Sequence, residues 1–300
     1  MRPIPPFGPT RRSLLTGGAA ILALSGSKFA VPDARTTNGA FRRRIEDLER
    51  QSGVTIAVSA VNLRTTRRIQ HRSTQSLPMC SLFKVIAVAA LVSQRGYDEQ
   101  YWQAPIPFTA SDIVVNSPVA SKSTTLTMTP GEMADAALRF SDNTAGNLLL
   151  REIGGPAKIS QLVAPFGATA TRLDRIEPEL NEGLPDDLRD TTTTNDIVAI
   201  LRALLIDGEA GQLTRSKLQD WMLRNATSST RARAGLTGPY ELADKTGAGS
   251  YGIVNDAGIL WQGNNAPISL CILTRTDDPN AKGNNEVIAD TTRLLVSELR

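Results

Sequence analysis

Three short clusters carry the residue types for acyl transfer to a hydroxyl: Ser81-Leu82-Phe83-Lys84, Ser141-Asp142-Asn143 and Lys245-Thr246-Gly247. On a helix, positions i and i+3 share a face, which places Lys84 beside Ser81. A hydroxyl that opens a helix meets free N–H groups and the positive end of the dipole, and both favour developing negative charge. A lysine held in an apolar helix has its ammonium form disfavoured by desolvation, which suits it to proton transfer. Other base arrangements are excluded by composition. The chain has one histidine, His71, in a polar stretch that reads as surface, so no Ser-His-Asp triad is expected. Paired His and Cys ligands at metal spacing are absent, so neither a zinc site nor any other cofactor is expected.

Taken alone, Ser-x-x-Lys is weak. A second copy, Ser25-Gly26-Ser27-Lys28, stands near the N-terminus, and a serine at a helix start is by itself an ordinary cap. The information lies in the ordered set: a serine-lysine pair opening an apolar helix, a Ser-Asp-Asn turn between helices, and a Lys-Thr-Gly ending a strand. In that order and setting the chain resembles the penicillin-recognising serine enzymes. The segment Arg175-Ile176-Glu177-Pro178-Glu179-Leu180-Asn181 narrows this. It resembles the Ω-loop of a class A serine β-lactamase, and the resemblance runs from about Phe41 to Arg300.

The resemblance implies a covalent acyl-enzyme on Ser81, formed as the β-lactam ring opens and then hydrolysed. The acylation base is left open between Lys84 and Glu177 acting through a water. Ser141 relays a proton to the lactam nitrogen, and Glu177 activates the hydrolytic water with help from Asn181. Lys245, Thr246 and Arg231 hold the substrate carboxylate. Asn143 contacts the acylamide side chain, and Asn147 steadies that group and Glu177. The backbone N–H groups of Ser81 and Ala248 form the oxyanion hole, beside Gly247. Arg175 and Asp190 tie the two ends of the loop, and a cis Glu177–Pro178 bond is expected. The implied partner is a small β-lactam, bound by a monomer that interacts with no nucleic acid. Two relatives of different behaviour, a DD-peptidase and a penicillin sensor that is acylated without turnover, share the first three motifs. Glu177 with Asn181 argues against both.

Some positions depart from patterns common among the relatives. Ala248 has no hydroxyl, Gly249 is not a cysteine that could bridge to Cys80, Asn116 is not aromatic, and Val254 is not the arginine some penicillinases carry. Arg231 would supply that last charge. The expected substrates are penicillins and some cephalosporins, with weak carbapenem hydrolysis.

These residues need elements to position them. Residues 81–94 place Leu82, Phe83, Val85, Ile86, Val88, Leu91 and Val92 on every side of a helix, the mark of a buried one, with Lys84 its only charge. Thr129-Pro130-Gly131-Glu132 is a capping box with proline at the first helical position. It predicts a helix to about Phe140 and a second from Asn143. Helical periods also cover 38–51, 193–206, 211–224 and 284–299, and strands are expected at 54–61, after 64–68, and at 241–247, 252–261 and 268–274. Residues 172–190 show no period and read as a long surface loop. Strands at both ends around a helical middle give an α+β, two-lobe class. The resemblance makes this a β-lactamase/transpeptidase-like fold: a five-stranded antiparallel sheet flanked by helices, plus an all-α lobe. The expected lobes are 38–72 with 225–300, and 73–224, within a catalytic domain of 31–300.

Residues 1–30 read as an export signal. Thr10-Arg11-Arg12-Ser13-Leu14-Leu15 resembles a twin-arginine motif, an apolar stretch runs from Leu14 to Leu24, and small residues follow at 25–27. The apolar stretch is about half of what spans a bilayer, and no cysteine follows it to carry a lipid anchor. The expected location is the periplasm or the medium, without a membrane anchor after processing. The leader also explains the pI of about 9.0: without its four basic residues, 29 basic residues face 30 acidic ones. The body is therefore no polyanion binder by charge. Cys80 and Cys271 could pair in an exported protein, but each sits in an apolar context that favours a free thiol. Finally, Gly247-Ala248-Gly249-Ser250-Tyr251-Gly252 fits a dinucleotide fingerprint literally. That motif must open a helix, and a strand follows here. The glycines are expected instead to let substrate approach the strand.

Overall fold

The computed structural model describes residues 39–263 and 266–299; the proposed leader, Asn38 and part of the turn at 262–265 lie outside them. Five antiparallel strands form the main sheet. Their order across it is Arg68–His71, Thr55–Asn62, Ile268–Arg275, Val254–Trp261 and Glu241–Ala248. Sequence neighbours pair as hairpins. The N-terminal strand enters the middle of the sheet by pairing Val58 with Ile272 and Ala60 with Leu270. Glu241–Ala248 is an edge strand, so its outer side is open to a ligand or to another element.

The sheet separates two apolar clusters. One face carries Ile56, Val58, Leu270 and Ile272 against Phe41 and Ile45 of helix Gly39–Ser52 and Val287, Ile288 and Leu295 of helix Asn285–Leu299. The other carries Ala57, Ala257, Ile259 and Leu273 into a larger cluster with the middle of the chain. At its centre is the helix Phe83–Arg95, buried at every residue from Phe83 to Val92, as its all-round apolar pattern requires. Helices Pro130–Arg139, Asn143–Ile153, Thr194–Leu205 and Gly211–Leu223 complete this part. The capping box forms as read: Thr129 Oγ1 accepts from Glu132 N while Glu132 accepts from Thr129 N.

Three readings are corrected. Ser81 does not open the α-helix; it is the middle residue of a 3₁₀ turn, Cys80–Leu82, and the α-helix starts at Phe83. His71 is not a surface residue: only 9% of its side chain is exposed, with Nε2 3.3 Å from Glu49. Glu49 is also held by Arg72, which stays exposed, so the carboxylate gathers both basic groups at this strand end. The loop 172–190 is not merely superficial either, since Glu177, Leu180 and Asp190 are buried in it. Two short helices, Glu99–Gln103 and Lys158–Val163, were not expected; neither is long enough to show a period. Both thiols are free and buried.

Candidate active site

The three motifs and the loop meet in a cleft of about 580 Å³, lined by Ser81, Ser141, Asn143, Asn181, Arg231, Thr246, Gly247 and Ala248 among others. That is the size range of sites that enclose small molecules. The nucleophile corner is built first from backbone. Asn255 Nδ2 donates to Pro78 O at 2.9 Å, and Met79 N donates to Asp190 O at 2.8 Å, pinning the segment that enters the turn carrying Ser81. Cys80 and Ser141 both have positive φ, 49° and 58°. Such conformations cost non-glycine residues roughly 1–2 kcal/mol each and persist where the surroundings impose them.

Lys84 is fully buried, and its ammonium is surrounded by four oxygens: Ser81 Oγ at 2.9 Å, Ser141 O and Asn143 Oδ1 at 2.8 Å, and Glu177 Oε1 at 3.0 Å. An ammonium has three protons, so these acceptors share them. Burial depresses the Lys84 pKa, against the pull of the Glu177 carboxylate, which favours the charged form. The side chain reaches this point because residue 146 is glycine. A Cβ there would stand 2.6 Å from Lys84 Cε, so this helix accepts a residue that costs roughly 1 kcal/mol relative to alanine.

Ser81 Oγ also lies 3.3 Å from Glu177 Oε1. The loop delivers that carboxylate through the ties that the resemblance implied. Arg175 Nε donates to Asp190 Oδ2 at 2.6 Å, and the N–H groups of Asp174 and Arg175 donate to Asp190 Oδ1. Asn147 clamps the Glu177 backbone twice, accepting from its N at 2.8 Å and donating to its O at 2.9 Å. Asn181 Nδ2 donates to Glu177 Oε2, while its Oδ1 is buried without a hydrogen-bond partner. The Glu177–Pro178 bond is cis.

The opposite wall is the edge strand. Lys245, fully buried, donates to Ser141 Oγ at 3.0 Å and to Thr246 O at 2.8 Å. Desolvation lowers its pKa well below the ordinary lysine value, and the nearby cations Lys84 and Arg231 lower it further. Arg231 sits just before the 3₁₀ turn Ala232–Gly235 and is braced by Gly247 O at 2.7 Å and Asn285 Oδ1 at 3.0 Å. Burial depresses its pKa also. The expected site residues thus lie at the cleft or brace one that does, except Arg175 and Asp190, which tie together the loop that carries Glu177. Asn143 carries a structural load beside any substrate contact, since its Nδ2 donates to Val115 O.

The glycines at 247 and 249 have a packing use beside the expected one, and Gly247 also lines the cleft. A Cβ at 249 would meet Asn181 O at 2.6 Å, and one at 247 would meet Cys80 Cβ at 3.1 Å. They let the strand pack against the loop and the nucleophile turn, and no helix follows them. Sequence reading placed Asp142 in a motif but gave it no role. It caps helix Asn143–Ile153 through Ala145 N and accepts from Val119 N and Ala120 N, which ties the front loop of the cleft to the Ser141 turn. Its place before a helix start was the available signal.

Residues 40–299 match the family model described as the β-lactamase enzyme family. The chain is 36% identical to β-lactamase AST-1 of Nocardia asteroides over 96% of both chains. It is 38% identical to a β-lactamase of Streptomyces lavendulae over 97% of both. Among solved structures, the β-lactamase of Streptomyces albus G superposes with a TM-score of 0.84 at 37% identity, over 87% of this chain and all of that one. The chain belongs to the β-lactamase enzyme family, in its class A group.

Proposed function

We propose that this β-lactamase acts on penicillins and some cephalosporins, with the roles divided as follows. Ser81 attacks the lactam carbonyl, and its proton leaves to Lys84 or, through a water, to Glu177. The N–H groups of Ser81 and Ala248 receive the oxyanion; loss of one such donor costs roughly 3–4 kcal/mol of barrier. Ser141, hydrogen-bonded to Lys245, passes a proton to the departing nitrogen. Lys245, Thr246 and Arg231 take the substrate carboxylate, and Asn143 with Asn147 positions the acylamide arm. Glu177 and Asn181 then direct a water onto the ester. One observation carries the reading: Ser81 Oγ stands within hydrogen-bonding reach of both Lys84 Nζ, at 2.9 Å, and Glu177 Oε1, at 3.3 Å.

The substrate range rests on the cleft walls. Ala248 offers no side-chain hydroxyl, and Gly249 leaves Cys80 unbridged. The same reading keeps a monomer, because one chain supplies the whole site, and an exported enzyme whose residues 1–30 form a twin-arginine leader. It divides the catalytic domain, 31–300, into the two lobes 38–72 with 225–300 and 73–224. Among the described residues, no helix is long and apolar enough to cross a membrane. Sustained nitrocefin turnover by the purified enzyme, lost by roughly 10⁴-fold or more in Ser81→Ala, is the expected result. A panel of penicillins, cephalosporins and carbapenems then tests the range. Efficient imipenem turnover would contradict it.

A further inference from the structure

The hydroxyl of Thr246 faces a neighbour that competes with substrate for its proton. Thr227, which also lines the cleft, hydrogen-bonds Thr246 Oγ1 through its own Oγ1. Distance alone leaves the direction of that bond open, but the groups behind it settle the direction. Asn225 Oδ1 accepts from Thr227 N at 2.9 Å, and a backbone N–H can only donate, so the oxygen of the Asn225 amide faces Thr227. Asn225 Nδ2 correspondingly donates to Asp244 Oδ2 at 2.9 Å. Asp244 is fully buried, and Arg233 Nη2 donates to its other oxygen at 2.7 Å. The same Asn225 Oδ1 lies 2.7 Å from Thr227 Oγ1. A carbonyl oxygen cannot donate, so the single hydroxyl proton of Thr227 is spent on Asn225. Thr227 can therefore only accept from Thr246.

We infer that Thr227 is a specificity-determining residue that holds the Thr246 hydroxyl proton away from the cleft, under the control of the buried Asp244–Asn225 pair. In this state Thr246 turns lone pairs, not its proton, toward an incoming anion. A substrate carboxylate gains the Thr246 hydrogen bond only by rotating that hydroxyl and leaving Thr227 with an unfilled acceptor. The bond formed is offset by the bond broken, and recognition of the carboxylate falls mainly to Lys245 and Arg231. A residue of the same shape without an acceptor at 227 frees the Thr246 proton for the ligand.

The inference rests on the assignment of Lys245, Thr246 and Arg231 to the substrate carboxylate, and the test separates the two. The measured quantity is kcat/KM for benzylpenicillin relative to that for its methyl ester. If the carboxylate assignment is wrong, the wild-type enzyme does not favour the acid. Given that preference, Thr227→Val should raise the acid-to-ester ratio roughly five-fold, the worth of one neutral hydrogen bond. Thr227→Ser, which keeps the acceptor, should hold the wild-type ratio. An unchanged or lower ratio in Thr227→Val overturns the inference, and Thr227→Ala carries the same test should the valine variant not fold. Neutron diffraction on the deuterated native enzyme reads the direction itself. A deuteron on Thr246 Oγ1 pointing at Thr227 supports it, and one on Thr227 Oγ1 pointing at Thr246 overturns it.

Discussion

The two buried lysines of the cleft, Lys84 and Lys245, differ in setting, and the difference shows how the site divides its labour. Lys84 is matched: a carboxylate stands at 3.0 Å, and three further oxygens share its protons. Lys245 has a hydroxyl and a carbonyl as its partners, and the charges that press on it most are the cations Lys84 and Arg231. A balanced ion pair can shuttle a proton without changing the net charge of its corner. An unbalanced cation pair is a standing attraction for an anion, and gains most when a carboxylate arrives. The first corner suits chemistry and the second suits recognition.

This contrast can be broken from either side. The largest effect is expected on the loop that supplies the carboxylate. Asp190 is buried and accepts from Arg175 and two backbone N–H groups, so Asp190→Ala leaves those donors unpaired. It should cost about 3 kcal/mol of stability in denaturant unfolding, because one partner of a buried pair is removed. At the other corner, Lys245→Met should lower kcat/KM for acidic β-lactams by roughly 10–100-fold, the worth of a charged hydrogen bond, with a smaller loss for esters. An equal loss for both would make Lys245 a proton-relay residue and not an anchor.

pH sharpens the same difference. The folded-state pKa of Lys245 lies below its unfolded value. At pH values between the two, the unfolded chain binds more protons, so stability from this group rises with pH across that window. Recognition runs the other way, since the ammonium is lost as pH rises through the lowered folded pKa. The acid-to-ester preference should therefore decline on the alkaline side, and Lys245→Arg should move that decline to higher pH. The smallest effect is expected from Asn147→Ala, which removes both clamps on the Glu177 backbone. Steady-state turnover should fall about ten-fold as deacylation slows, with a loss of about 1–2 kcal/mol in stability. A change in acylation alone would show that Asn147 serves the substrate and not the loop.

Much of this was legible in the residue order because it is local. The Ser81–Lys84 spacing, the capping box at Thr129 and the all-round apolar pattern of residues 83–92 are set within one or two turns of chain. What escaped depends on partners distant in sequence. Nothing around Thr227 marks it as the neighbour of Thr246, nor Asn225 as the link to Asp244; a strand register and a returning loop bring them together. Gly146 reads as a mild helix defect until Lys84 is seen lying against it. The burial of Glu177 was equally hidden, since a polar loop has no period to reveal which side faces inward.

In the proposed mechanism one carboxylate, held beside Ser81 by a tied-down loop, completes a reaction that the rest of the cleft can begin. Mass spectrometry of Glu177→Ala mixed with benzylpenicillin tests it most directly. An adduct of the intact antibiotic mass on Ser81 should persist, with steady turnover reduced by on the order of 10²–10⁴-fold. An enzyme that turns over at the ordinary rate and accumulates no adduct would contradict it.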